Sequence, residues 1–345
     1  MYRYALKRLI LAFITAFIII SLTFLLMKML PFSKPVGNDV TKLAYYLTQV
    51  NQGLVLDFRV ATDGYGEALW FGTDTAHVTH YFYVRPIMEQ YFSWIKNIFT
   101  EWNWGVSTYI APNQDAMTYI LAKLPNTIKV NVVAVIISVP LGISLGIWAA
   151  LKKNTMTDHI ISTVVMIFIS IPSFIIITFL MLIFCYQNQI LPSQWYSVQD
   201  PISTKILSYI IPVSALSFGS ICGYTRFTRA ELTEVMSSDF LLLARTKGLT
   251  KSQTVVRHAL RNAMVPIFPS ILAEFVAVLS GSMILEKLYG IPGVGQLFIL
   301  AIGASDYNLL LVDMAFYTII GLTAGIILDL SYGFIDPRIR MGGKK

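Results

Sequence analysis

Charge is what this 345-residue sequence has least of: only 13% of its residues are Asp, Glu, Lys or Arg, against about 25% in an average soluble domain. With 55% apolar residues and a mean hydropathy of +0.64, a water-soluble globule would lack the polar surface to cover itself. That excludes a soluble enzyme and requires most apolar side chains to face lipid or a large helical bundle. Cysteine is nearly absent. Cys185 and Cys222 lie in apolar stretches without CxxC spacing, which excludes a disulfide framework and leaves both as core residues. Of four histidines, only His77-x-x-His80 has ligand-like spacing, and without an accompanying acid or Cys pattern it reads as a surface pair rather than a metal site. No G-x-x-x-x-G-K-[ST] occurs, so the chain lacks the usual phosphate cradle. Gly290-x-x-Gly293-x-Gly295 follows no strand signal and is not read as a nucleotide loop. What is abundant is a basic excess, a net charge of +7. In a chain this apolar, that excess is read as a record of membrane orientation rather than of nucleic-acid binding.

Spanning hydrocarbon takes about 20 mostly apolar residues. Runs at 9–27, 130–151, 160–186, 206–225, 263–285 and 308–334 meet that requirement, the fifth with Glu274 inside and the sixth with Asp313 and Asp329 near its ends. The first run is longer than a secretory h-region and no small-x-small cleavage site follows it, so it is read as a retained span. A seventh uncharged stretch, 288–305, opens with Tyr289-Gly290-Ile291-Pro292-Gly293-Val294-Gly295. These helix breakers leave too little continuous helix to cross, so a re-entrant or surface loop is expected. With six spans and both termini cytoplasmic, the inner pieces (1–8, 152–159, 226–262 and 336–345) carry +11 while the outer pieces carry −1. Seven spans would push Arg338, Arg340, Lys344 and Lys345 outside, against the positive-inside rule. The expected fold is therefore an all-α membrane protein of six transmembrane helices. Its divisions are a tail and first span at 1–30, an external insertion of about 95 residues at 31–129, and a five-span core at 130–345.

In the insertion, Gly37-Asn38-Asp39 and Ala61-Thr62-Asp63-Gly64-Tyr65-Gly66 are turn signals. Residues 86–101 place Ile87, Tyr91, Trp94, Ile95 and Ile98 on one helical face, for the membrane surface or the bundle. Trp94, Trp102 and Trp104 read as an interfacial belt in preference to a ligand-stacking cluster. The cytoplasmic loop 226–262 has a different character. Thr228-x-x-Glu231 suggests a capping box. Ser237-Ser238-Asp239 offers a fresh N-cap before Phe240-Leu241-Leu242-Leu243-Ala244, Gly248 is placed to end that helix, and Thr250-x-x-Gln253 opens the next. The result is a short apolar helix bracketed by Arg245 and Lys247 on the aqueous side. It is either a docking surface or a helix folded back onto the bundle.

This loop carries a resemblance. Arg226-Phe227-Thr228-Arg229-Ala230-Glu231, Asp239-Phe240, Ala244-Arg245-Thr246-Lys247-Gly248-Leu249 and His258-Ala259-Leu260-Arg261-Asn262-Ala263 are similar to the cytoplasmic loop of binding-protein-dependent ABC importer permeases, in particular the OppB/DppB-type subunit of the dipeptide/oligopeptide branch. Against the family pattern EAA-x3-G-x9-I-x-L-P, Ala244 and Gly248 match, while Leu242, His258 and Arg261 replace Glu, Ile and Pro. Those departures are shared with the peptide branch. Trp104-Gly105-Val106-Ser107, Leu124-Pro125-Asn126-Thr127, Ile171-Pro172-Ser173-Phe174, Glu286, Pro292-Gly293-Val294-Gly295 and Asp336-Pro337-Arg338-Ile339-Arg340 extend the resemblance over most of the chain. Residues 38–74 have no counterpart in it, and Phe32-Ser33-Lys34-Pro35 departs from the branch.

The resemblance implies a non-catalytic, multi-pass subunit of a bacterial plasma membrane. It implies a second permease (OppC/DppC-like), two ATP-binding subunits carrying ATP and Mg, an extracellular solute-binding protein and a peptide substrate as partners, with no cofactor, metal or nucleic acid on this chain. It also implies a coupling helix formed by Ser238, Asp239, Phe240, Leu243, Ala244, Arg245, Lys247 and Gly248, seated in a groove of an ATPase. Glu274, an intramembrane acid, is read either as meeting the cationic end of a passing peptide or as an interhelical hydrogen bond, while Asp313 and Asp329 are read as structural. The alternatives are the same architecture carrying nickel chelates, haem or another small solute and, more remotely, an ion-coupled secondary transporter. The latter predicts paired intramembrane charges and internal repeats that the sequence lacks.

Overall fold

The structure, a computed structural model, describes residues 2–30 and 34–335; the tail motif at 336–340 and its cations, together with 31–33, lie outside the described residues. The first helix, α1 (Tyr2–Lys28), contains the first apolar run. The insertion then folds as α2 (Asp39–Asn51), strands β1 (Val55–Phe58), β2 (Trp70–Thr73) and β3 (Thr79–Val84), and α3 (Ile87–Glu101). It is followed by α4 (Ala116–Leu151), α5 (Met156–Ile169), α6 (Ser173–Met181), α7 (Ile202–Leu207), α8 (Ile210–Met236), α9 (Asp239–Thr246), α10 (Lys251–Thr254), α11 (Leu260–Ala277), α12 (Met283–Tyr289), α13 (Val294–Gly303) and α14 (Tyr307–Ile335).

Among the described residues, five helical stretches are long and apolar enough to cross a membrane: Ala5–Lys28, Ala116–Leu151, Ile202–Met236, Ser252–Ser280 and Tyr307–Ser331. Two bent pairs add to them. The third apolar run, expected as one span, is broken by 94° between α5 and α6, where Ser170, Ile171 and Pro172 interrupt the helix. A proline disfavours helical backbone at the residue before it and supplies no N–H of its own. The second pair is α12 and α13, bent by 84° at the Gly290–Gly293 breakers. The fifth run also ends sooner than its hydropathy suggests, since Gly281 at φ +64 stops the helix while the sequence stays apolar.

The described residues group into two compact units, one of 2–9, 126–293 and 323–335, the other of 10–30, 34–125 and 294–322. In the first, α8 packs on α4 through Gly142 and Gly146. A Cβ at Gly146 would stand 2.6 Å from the Thr228 Cβ and 2.7 Å from the Thr225 carbonyl oxygen, the close backbone approach that small residues four apart allow. In the second, Phe24, Trp94, Ile98, Trp104, Ile120 and Leu297 share one buried cluster. Trp94 and Trp104 are therefore core residues, with the Trp94 indole N–H donating to the Trp104 carbonyl at 3.1 Å. The expected belt is left with Trp102 alone, which is exposed.

The insertion corrects the all-α expectation locally: the chain is mostly helical but carries a three-stranded antiparallel sheet in the order β1-β3-β2. Tyr45, Tyr46, Val55 and Phe82 form its core, with Tyr46 stacked on Phe82 at 5.1 Å. Asn38, one of the expected turn residues, caps α2 by accepting from the Thr41 N–H at 2.9 Å. In the β2–β3 turn, Asp74 accepts from the backbone N–H groups of Ala76 and Val78 at 2.9 and 2.8 Å. His80 is buried beside Asp57 and Asp74, so the expected surface histidine pair does not exist as such.

Candidate functional site

The loop 226–262 forms around the end of α8. That helix runs straight through Thr228, which is buried in mid-helix, so the expected capping box there is absent: the polar residues after 225 extend the helix instead of restarting it. It is held to the start of α5 by Arg229, whose Nε and Nη2 donate to the two carboxylate oxygens of Asp158 at 2.5 and 2.8 Å. This bidentate geometry is the strongest form of the pair.

The chain reverses at Ser237 and Ser238. Ser238 has the extended backbone of an N-cap, φ −79 and ψ 147, but its hydroxyl donates back to the Val235 carbonyl at 2.5 Å. It thereby closes α8 while α9 begins. Asp239 follows in the first turn of α9, where a carboxylate favours the positive end of the helix dipole. After α9, Gly248 adopts φ +91 with open space around it, so backbone conformation and not crowding selects glycine there. The second expected capping box is present. Thr250 N–H donates to Gln253 Oε1 at 3.1 Å, and Gln253 N–H to Thr250 Oγ1 at 3.3 Å.

On α9 one apolar side chain turns inward. Leu241 is buried in a cluster with Ala150, Leu232, Ala259 and Ala263, which ties the short helix to α4, α8 and the helix that follows. Its neighbours turn outward: Phe240, Leu242 and Leu243 are 46, 63 and 58% exposed. Ala244 is half-buried, and Asp239, Arg245, Lys247 and Gly248 are exposed. The helix is thus folded back onto the bundle through Leu241 and leaves its other large apolar side chains exposed. The coupling set implied by the resemblance includes Phe240 and Leu243 but neither Leu242, exposed beside them, nor Leu241, which is the buried anchor. On a helix this short, which leucine of the run faces inward depends on the tertiary seat.

Glu274 lies on α11, half-buried. The Ser220 hydroxyl of α8 donates to its Oε1 at 2.5 Å, and both residues line a cavity of about 360 Å³ together with Asn131, Val135, Leu216 and Val278. The carboxylate thus makes an interhelical hydrogen bond and also borders open space. Asp329 pairs with Arg8 at 3.1 Å, and Asp313 is fully buried.

Two further polar sites were not singled out as sites, although motifs of the resemblance run through both. Glu286, buried on α12, accepts from the Thr127 hydroxyl of α4 at 3.0 Å. Beside it the Asn126 amide donates to the Pro292 carbonyl at 3.1 Å, and a Cβ at Gly293 would fall 2.4 Å from Glu286 Oε2. The Asn126-Thr127, Glu286 and Pro292-Gly293 motifs thus form one clamp. In the other unit, Asp306 accepts from the Ser107 hydroxyl at 2.6 Å and from the backbone N–H groups of Thr108, Tyr109 and Ile110 at 2.9–3.1 Å. Among the described residues no cluster of His, Cys, Asp or Glu has the arrangement of a metal site.

Residues 142–341 match the family described as binding-protein-dependent transport system inner membrane component. The chain is 32% identical over 349 residues to the dipeptide transport system permease protein DppB of Lactococcus lactis subsp. cremoris, covering 99% of this chain and all of that one. It is 33% identical over 255 residues to the oligopeptide transport system permease protein OppB of Salmonella typhimurium, covering 74% of this chain and 81% of that one. A solved amino acid ABC transporter chain aligns with a TM-score of 0.46 at 20% identity, covering 62% of this chain and 93% of that one.

Proposed function

The chain belongs to the family of binding-protein-dependent transport system inner membrane components, and from that premise we propose that it is the permease subunit of an ATP-driven importer of dipeptides or oligopeptides, forming half of the translocation pathway. The observation that carries the coupling role is α9: an anchored two-turn helix at the end of a long membrane helix, presenting Phe240, Leu242 and Leu243 with Arg245 and Lys247 at its end. Burying three such side chains in a partner's groove is worth about 1.5–3 kcal/mol each before association costs. The adjoining cations suit an acidic rim. Peptide as cargo is supported by the dipeptide and oligopeptide permeases that align with the full length or most of the chain.

In this reading the subunit is non-catalytic and multi-pass in a bacterial plasma membrane. The five long helices and the α5–α6 pair make six spans with both termini cytoplasmic, and the α12–α13 pair re-enters on the outside. The partners are a second permease, two ATPases that bind ATP and Mg, and an extracellular solute-binding protein. Closure of the ATPase pair moves α9, and with it α8 and the helices packed on it, between inward- and outward-facing arrangements. Glu274 lines the pathway. The test is purification from the membrane with all subunits co-expressed. A complex holding two ATPases and a second permease, with ATP-dependent uptake of labelled dipeptide, is expected. Uptake that continues when no ATPase is present would overturn the reading.

A further inference from the structure

We propose that the groove between α5 and α8, at the end of the apolar stretch of α8, binds the phosphate of an anionic phospholipid, with Arg226 as the phosphate ligand. The groove has a volume of about 360 Å³ and is walled by Ile161, Ser162, Val165 and Met166 of α5 and by Arg226 and Arg229 of α8. Its chemistry is divided along its length. Residues 206–225 of the α7–α8 stretch hold no charge, and Arg226 is the first cation after them. On the other wall, Arg229 grips Asp158 in the first turn of α5, so Ser162, Val165 and Met166 follow turn by turn into the apolar region. A polar mouth with an apolar floor is the profile of a headgroup and acyl-chain boundary, not of a site for a free ion.

The charges at the mouth are unequal. Arg229 is committed to both oxygens of Asp158. Arg226 is exposed and, among the described residues, has no carboxylate within ion-pair distance, leaving the mouth with one positive charge in excess. A guanidinium is more weakly hydrated than an ammonium and presents a fork that matches phosphate oxygens, so it is the suitable cation at a partly dehydrated boundary. The outer wall continues as exposed apolar surface, with Val164 and Met166 at 44 and 58%, against which an acyl chain lies. One net positive charge favours a headgroup of net negative charge over a zwitterionic one. The assignment does not depend on the transport reading; it needs only that α8 spans the membrane.

The full chain, purified in detergent with whatever subunits accompany it, is titrated with phosphatidylglycerol and bound lipid is counted by native mass spectrometry. Retention of phosphatidylglycerol over phosphatidylcholine is expected, weakened about tenfold by Arg226→Gln, the factor equivalent to about 1.4 kcal/mol, and less by Arg226→Lys. Soluble glycerol phosphate in large excess is expected not to displace the lipid. Equal binding by Arg226→Gln, equal retention of phosphatidylcholine, or displacement by glycerol phosphate at the lipid's own concentration would each overturn the proposal. The last would reassign the groove to a free phosphate. If Arg226→Gln does not purify, Met166→Glu, at an exposed position beside the groove, must weaken retention of the anionic lipid, and unchanged retention overturns the proposal equally.

Discussion

Glu274 is half-buried in an apolar helix, where a carboxylate is costly unless it is compensated; the Ser220 and Tyr224 hydroxyls reach it from α8, and the residue lines the cavity. Gln in its place still accepts from Ser220 through its amide oxygen but carries no charge, so Glu274→Gln separates the structural bond from the electrostatic role. With the role in the pathway, Glu274→Gln lowers uptake of peptides with basic side chains or free amino termini by about tenfold, equivalent to about 1.4 kcal/mol, at unchanged thermal stability. Matching uptake of basic and neutral peptides by parent and variant ends that role. As the one charge near the middle of an apolar run, Glu274 was conspicuous in the sequence. Asp158, 71 residues from its partner Arg229, was not, because that pair exists only once α5 and α8 lie side by side.

At the scale of elements, α9 divides its leucines by task, and that division is testable. Phe240→Ala with Leu243→Ala removes half-exposed side chains that belong to no buried cluster. Thermal stability therefore stays within about 0.5 kcal/mol, while uptake and the coupled ATPase rate fall. Leu241→Ala does the reverse first, removing a buried anchor at about 2–5 kcal/mol and lowering the melting temperature of the purified chain. If the exposed pair destabilises as much as Leu241→Ala, α9 is core and not a docking helix. The β2–β3 hairpin supplies a pH dependence. The Val78 N–H, above all, holds the Asp74 carboxyl below the ordinary range, with His80 and the Ala76 N–H acting in the same direction. A carboxyl lowered on folding stabilises the fold above its unfolded value of about 3.9 and loses that contribution as pH falls through its folded value. Pepsin cleavage within residues 70–84 is expected to rise below about pH 4 in the parent and to be high in Asp74→Ala throughout the protease's range. A parent no more resistant than Asp74→Ala at the upper end of that range contradicts this. The hairpin was not legible beforehand. Its strands are 4 and 6 residues long, too short to stand out beside the apolar runs, and their aromatics do not alternate cleanly with polar residues. The α9 loop was legible because caps, breakers and charges are local signals.

For the whole molecule, the count of apolar runs left one ambiguity that charge placement addresses and hydropathy does not. Stretch 288–305 is apolar enough to pass for a span, and the α12–α13 pair that contains most of it is bent by 84° at Gly290–Gly293. The Glu286–Thr127 bond and the Asn126–Pro292 bond hold that bend against α4. In the proposed topology this pair re-enters, so α14 carries the C-terminus to the face that holds the N-terminus, with the β2–β3 turn outside and α9 inside. With Cys185 and Cys222, both buried, replaced by serine, a cysteine placed at His77 is expected to react with an impermeant maleimide in intact cells. One placed at Arg245 should react only after permeabilisation, and a fluorescent protein fused after Lys345 should mature and fluoresce in the cytoplasm. A dark C-terminal fusion with Arg245 still inside would mean that the α12–α13 pair crosses the membrane. The clamp would then lie within a span, and the cations of the tail would stand outside, against the orientation that the other cytoplasmic loops set.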